Sequence, residues 1–119
     1  MDMIAKHLII KGRVQGVFYR GWTVKTAQAL GLAGWVRNLP NGDVEVLVQG
    51  HSTDVARLID MAWQGPSAAR VDDIAIKPAD IGDLRDFELS VERSAIRARF
   101  AEAWRDQQRR RRHKPNQTR

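Results

Sequence analysis

Arg20 belongs to the stretch GRVQGVFYRGWT, Gly12 to Thr23, which places three glycines, two arginines, an amide and two adjacent aromatics within a dozen positions. Gly12 and Gly16 allow a backbone to turn and approach a ligand without a Cβ in the way. The segment between them feeds a helix amino terminus, where free N–H groups and the dipole favour an anion. Arg20, at the start of that helix, offers a planar fork suited to two phosphate oxygens. Successive N–H groups curled around an anion would form a nest. Residue types alone leave a second reading open: a plain strand-to-helix corner, with Arg20 solvated and Phe18 and Tyr19 packing.

The elements around this stretch decide what it can meet. KHLIIKGRV is apolar and β-branched and predicts a strand over about 6–13. Helical spacing follows from Gly21 to Leu30, with Val24, Ala27 and Leu30 on one face and Gly31 as the carboxyl-terminal cap. AGWVRN predicts a second strand, and LPNG a turn whose Asn41-Gly42 pair favours a tight hairpin. DVEVLVQ returns, its Val44, Val46 and Val48 alternating with Glu45 and Leu47. Ser52 is placed to cap a second helix striped by Val55, Leu58, Ile59 and Ala62, and GPSA ends it. RVDDIAIK predicts a fourth strand and DFELSV a short fifth, with Phe87, Leu89 and Val91 on one face. This order is that of an α+β, ferredoxin-like split βαβ (βαββαβ) sandwich, a mostly antiparallel sheet with two helices on one face.

That topology has a chemical consequence. Strands joined through a helix run parallel, so the first two should end at the same edge of the sheet. The glycine-containing loop leaves the first strand there, and Asn38 ends the second. Asn38 shares parity with Val36, so it should face the layer in which the first helix begins. Taken alone, Asn38 reads equally as support for the turn that follows.

GRVQGVFYR followed by GWVRNLPNGDVEVLVQG closely resembles the two signature segments of the acylphosphatase family, and the resemblance covers about residues 4–91. It implies hydrolysis of acyl phosphates to carboxylate and inorganic phosphate, with no metal and no organic cofactor. Carried over by position, Arg20 binds the phosphate and the backbone N–H groups of Gln15, Gly16, Val17, Phe18 and Tyr19 complete a cradle that phosphate or sulfate would also occupy. Asn38 matches the asparagine that holds the attacking water. The alternative is an acylphosphatase-like module whose anion pocket serves binding alone.

The formal charge of +6 does not belong to this body: residues 1–91 hold ten Lys/Arg against eleven Asp/Glu, whereas 92–119 hold ten against three. The body is therefore read as one domain, 1–91, and 92–119 as a basic extension. Ser94 could cap a helix there with Ile96, Phe100 and Trp104 recurring every four residues, ending near Arg112 before Pro115. A solvated or docked helix is the main reading; nucleic acid, an acidic protein or an anionic surface recruited by residues 93–119 is the other.

The first and third strands carry no aromatic residue on which RNA bases could stack. His7 lacks neighbours at metal-ligand spacing and is read as structural or surface-facing. Asp72 and Asp73, adjacent in a strand, point to opposite faces and read as a solvated strand start. Trp22, Trp35 and Trp63 read as packing residues with partly exposed indoles, with Trp22 or Trp35 flanking the acyl group as a further reading. No apolar run reaches the ~18 residues of a membrane span, no secretory leader is evident, and the sequence has no cysteine. A cytoplasmic monomer is expected.

Overall fold

The computed structural model describes residues 2–89. The apolar run at the amino end forms β1 (Met3–Arg13), followed by α1 (Tyr19–Ala29), β2 (Ala33–Asn38), β3 (Val44–His51), α2 (Ser52–Ala62), β4 (Arg70–Ala79) and β5 (Phe87–Leu89). The sheet order is β4-β1-β3-β2-β5. β1 is antiparallel to β3 and β4, β2 is antiparallel to β3, and β5 is parallel to β2. β1 and β2 therefore run parallel on either side of β3, the ferredoxin-like arrangement that the sequence predicts.

Period-two alternation sorts the strand residues onto two faces. Leu8, Ile10, Val36, Val44, Val46 and Val48 are almost wholly removed from solvent and meet Tyr19, Ala27, Val55 and Leu58 of the helices. Each such aliphatic side chain contributes about 1.5–3 kcal/mol on burial. Register aligns the layer: Leu8 and Val36 both lie across from Val46, while Ile10 and Asn38 both lie across from Val44.

Several local expectations change. α1 begins two residues earlier than its spacing predicts, and its deepest stripe is Tyr19, Thr23 and Ala27, with Val24 and Leu30 flanking it. Gly31 closes the helix in a Schellman motif: Leu32 N–H donates to Ala27 O at 2.9 Å and Gly31 N–H to Gln28 O at 3.0 Å. The β2–β3 hairpin does not turn on Asn41-Gly42 alone. Leu39 N–H donates to Asp43 O and Gly42 N–H to Leu39 O, a three-residue loop in which Pro40 sets a type I turn and Gly42 (φ 100°) follows. Ser52 is the first helical residue of α2, not its cap. His51 holds the cap position, without a side-chain capping bond, and Ser52 N–H donates instead to Asp2 O.

The other sheet face carries Glu45, which alternates with Val44 and Val46 and is only 8 % exposed. His7 Nε2 lies 2.7 Å from its Oε2, and Arg37 Nε donates to its Oε1 at 2.6 Å. Burial alone would push the Glu45 carboxyl up; the bonds from His7 and Arg37, with the charge on Arg37, outweigh it and lower the pKa to about 2. His7 is thus structural, as expected, although its partner lies 38 positions away. Asp72 and Asp73 are exposed near the start of β4. Among the described residues no helix is long and apolar enough to cross a membrane. Val91 and the basic extension, with its Ile96, Phe100 and Trp104 stripe, lie outside the described residues.

Candidate active site

The carboxyl end of β1 and that of β2 reach the same edge. Across Val44, Ile10 and Asn38 are separated by two strand spacings, about 10 Å. Beyond Ile10, β1 slips register against β4 between Lys11 and Gly12, and the chain then leaves the sheet toward α1. Gly12 does not serve the ligand side of this loop. Its φ is 132°, and a Cβ built there would lie 2.2 Å from Arg70 O, so the missing side chain admits β4.

The loop curls through alternating backbone hands. Gly16 has φ 73° and Phe18 φ 70°, whereas the other non-glycine residues of the described chain keep negative φ. Positive φ at 16 and 18, alternating with Val17 and Tyr19, gives the alternation of backbone hands from which a nest is built. Gly16 adopts this conformation without penalty, but for Phe18 it costs about 1–2 kcal/mol. Such strain persists where surrounding structure fixes it. Here the Phe18 ring lies over Gly21, where a Cβ would approach it to 2.3 Å, and Lys25 Nζ stands 5.9 Å from the ring centroid.

Phe18 is also the residue that precedes α1, and it makes no side-chain cap. Gly16, Val17 and Phe18 N–H groups have no acceptor among the described residues. The first turn of α1 contains no acidic side chain, so the positive end of the helix is left uncompensated by its own residues. Arg20 lies in this turn, half-buried, and its guanidinium has no hydrogen-bond or ion-pair partner among the described residues. The loop therefore combines a curl of donors, a helix amino end and an uncommitted cation.

Asn38 brings the complementary group. It shares the helix-side face of β2 with Val36, and its Oδ1 is buried without a hydrogen-bond partner among the described residues. A buried amide oxygen in that condition costs about 1–3 kcal/mol, and such orphaned groups concentrate where a function requires them. An amide can both accept from and donate to a water, so Asn38 can orient one without acting as a base.

Two side chains fasten the loop, and neither role is visible in the motif. Gln15 Nε2 donates to Leu39 O and to Asp43 O, each at 2.8 Å. Tyr19, read as one of the cradle residues through its backbone, buries its ring and donates its hydroxyl to Ala62 O at 2.5 Å. Burial pushes that phenol above its ordinary range. Trp22 packs on Tyr19, with ring centroids 5.5 Å apart. Trp35 has the opposite parity to Asn38: it pairs with Leu47 and lies beneath Arg37 on the far face, so it does not flank this edge. Among the described residues no group of three or more His, Asp or Glu is placed to hold a metal ion.

The Acylphosphatase family profile matches residues 6–89. An acylphosphatase of Albidiferax ferrireducens is 50 % identical over 89 residues, 75 % of this chain and 96 % of the relative. One of Acaryochloris marina is 46 % identical over 88 residues, 74 % and 95 % of the two chains. The solved structure of an acylphosphatase from Coxiella burnetii superposes with a TM-score of 0.72 at 35 % identity, over 74 % of this chain and 93 % of that one.

Proposed function

The chain belongs to the acylphosphatase family, and from that premise we propose that Arg20, the loop amides and Asn38 hydrolyse an acyl phosphate to carboxylate and inorganic phosphate. The observation that carries the assignment is the pairing, at the same sheet edge, of Arg20 beside the loop with the buried Oδ1 of Asn38, both without a side-chain partner among the described residues.

Phosphoryl transfer through a loose transition state asks chiefly for positioning and charge stabilisation. Arg20 would grip two phosphoryl oxygens with its fork, and the N–H groups from Gln15 to Tyr19 would take the remaining charge. Asn38 would hold a water in line with the scissile P–O bond. Water then bonds to phosphorus while the P–O bond to the acyl group breaks, and its electron pair leaves on the carboxylate. A carboxylate is a good leaving group, so no general acid is needed. Early proton removal from water is slight in such a transition state, so an orienting amide suffices in place of a base. Charge neutralisation by Arg20 and the amides supports turnover without a metal.

A module that only bound anions would have no use for a buried, water-orienting amide, which favours the enzyme. Both halves of the site come from one chain, which suits a monomer, and a small anionic metabolite as substrate suits the cytoplasm. The test is release of carboxylate and phosphate from a simple aromatic acyl phosphate with chelator present. Turnover by the wild-type chain is expected; an inert wild type would favour the binding module.

A further inference from the structure

Gln15 opens the cradle with its backbone, yet its side chain is committed elsewhere. Its amide nitrogen donates both hydrogens across the edge, to Leu39 O and Asp43 O at 2.8 Å each. Each of these carbonyls already accepts a bond inside the hairpin: Leu39 O from Gly42 N–H at 3.1 Å, and Asp43 O from Leu39 N–H at 2.8 Å. A carbonyl oxygen has two lone pairs, and Gln15 occupies the second on each. Because both partners are acceptors, the NH₂ end of the amide must face the hairpin. The Leu39 N–H that shares Asp43 O lies on the peptide that directly follows Asn38.

We infer that Gln15 is a positioning residue for Asn38. Through the two carbonyls it fixes the backbone next to Asn38 relative to the loop that begins at Gly16, and so sets the separation between cradle and water-orienting amide. This inference rests on the roles proposed above for Arg20 and Asn38. The sequence separations of 24 and 28 residues mean that neither half of the site could supply this restraint by itself. Misplacement by about 1 Å of a group that aligns reactants can lower a rate by about 10²-fold, which makes such a restraint consequential.

The test uses the full chain carrying Gln15→Met, which keeps length without donors, or Gln15→Glu, which sets a carboxylate against two carbonyls. Each is made alone and with Asn38→Ala, with an aromatic acyl phosphate as substrate and inorganic phosphate as competitive probe. Either single variant should lower kcat about 10-fold or more while phosphate inhibition stays within about 2-fold. Added to Asn38→Ala, either should lower kcat by less than about 2-fold further, since both act through one amide. Phosphate affinity that weakens in step with kcat, full multiplication with Asn38→Ala, or unchanged kcat would each overturn the assignment. Hydrogen exchange reads the restraint without turnover: in Gln15→Met the Leu39 amide should exchange about 10-fold faster while Val46 is unaffected. An inert wild type would refute the enzymatic reading alone; unchanged exchange at Leu39 would refute the restraint itself.

Discussion

The hydroxyl of Tyr19 and the carbonyl of Ala62 are joined by a 2.5 Å hydrogen bond that ties the turn carrying Arg20 to the last residue of α2. The ring fits there because Gly65 has no side chain; a Cβ would stand 2.5 Å from Tyr19 Cε2. The aromatic at position 19 thus anchors the loop from below while its backbone begins the helix.

Tyr19→Phe should keep the ring and lose the bond, leaving the Ala62 carbonyl without this donor. The expected cost is about 1–2 kcal/mol in urea unfolding, with turnover within about 2-fold because Arg20 keeps its place. Unchanged stability would mean that the bond contributes nothing net.

Gly16→Ala isolates the backbone requirement of the cradle. Nothing lies within 4 Å of the added Cβ, so the cost is conformational, about 1–2 kcal/mol for a left-handed alanine. Inorganic phosphate should inhibit more weakly as the curl relaxes. Gly16→Asn should be milder on both counts, because asparagine tolerates this region.

Glu45 gives the domain an acid-sensitive element remote from the chemistry. Its carboxyl has a pKa of about 2 in the folded protein against 4.5 as its ordinary value. A depressed folded pKa contributes stability that is complete above 4.5 and is lost as pH falls toward 2. The full contribution is about 3 kcal/mol. Urea unfolding of the wild type at pH 6 and pH 3 should differ more than that of Glu45→Gln. Equal pH dependence in the two would remove Glu45 as the cause.

Arg20→Lys retains charge but not the fork. Phosphate inhibition should weaken about 10-fold or more. Stability should stay within about 0.5 kcal/mol, since Arg20 has no ion-pair partner among the described residues to lose. Wild-type phosphate affinity in this variant would remove Arg20 from the site.

The body of the fold was legible because its signals are local. Alternation in VEVLV and the glycine after Leu30 delimit β3 and the end of α1, and AGWVRN matches β2 residue for residue. Parity was enough to send Asn38 to the helix side. The start of α1 was obscure because Phe18, a bulky residue, takes the left-handed conformation where a Ser or Asp cap would have announced a helix. Proline at position 40 overrode the Asn-Gly signal by fixing the preceding turn. Gln15 and Tyr19 draw their roles from partners 24 to 43 residues away, and Glu45 from His7, 38 residues away, as well as Arg37 across the hairpin; no local pattern encodes a register-dependent contact of that kind. The same reason separates Trp35 from the site: proximity in sequence placed it nearby, and strand parity placed it on the other face.

Loop and Arg20 divide the labour with Asn38: the first two hold phosphate while the amide directs water. This division is tested most directly by measuring turnover of an aromatic acyl phosphate and inhibition by inorganic phosphate in Asn38→Ala beside the wild type. The variant should show kcat lower by about 10²-fold or more with the phosphate inhibition constant within about 3-fold. Wild-type turnover in the variant, or phosphate binding lost together with turnover, would contradict it.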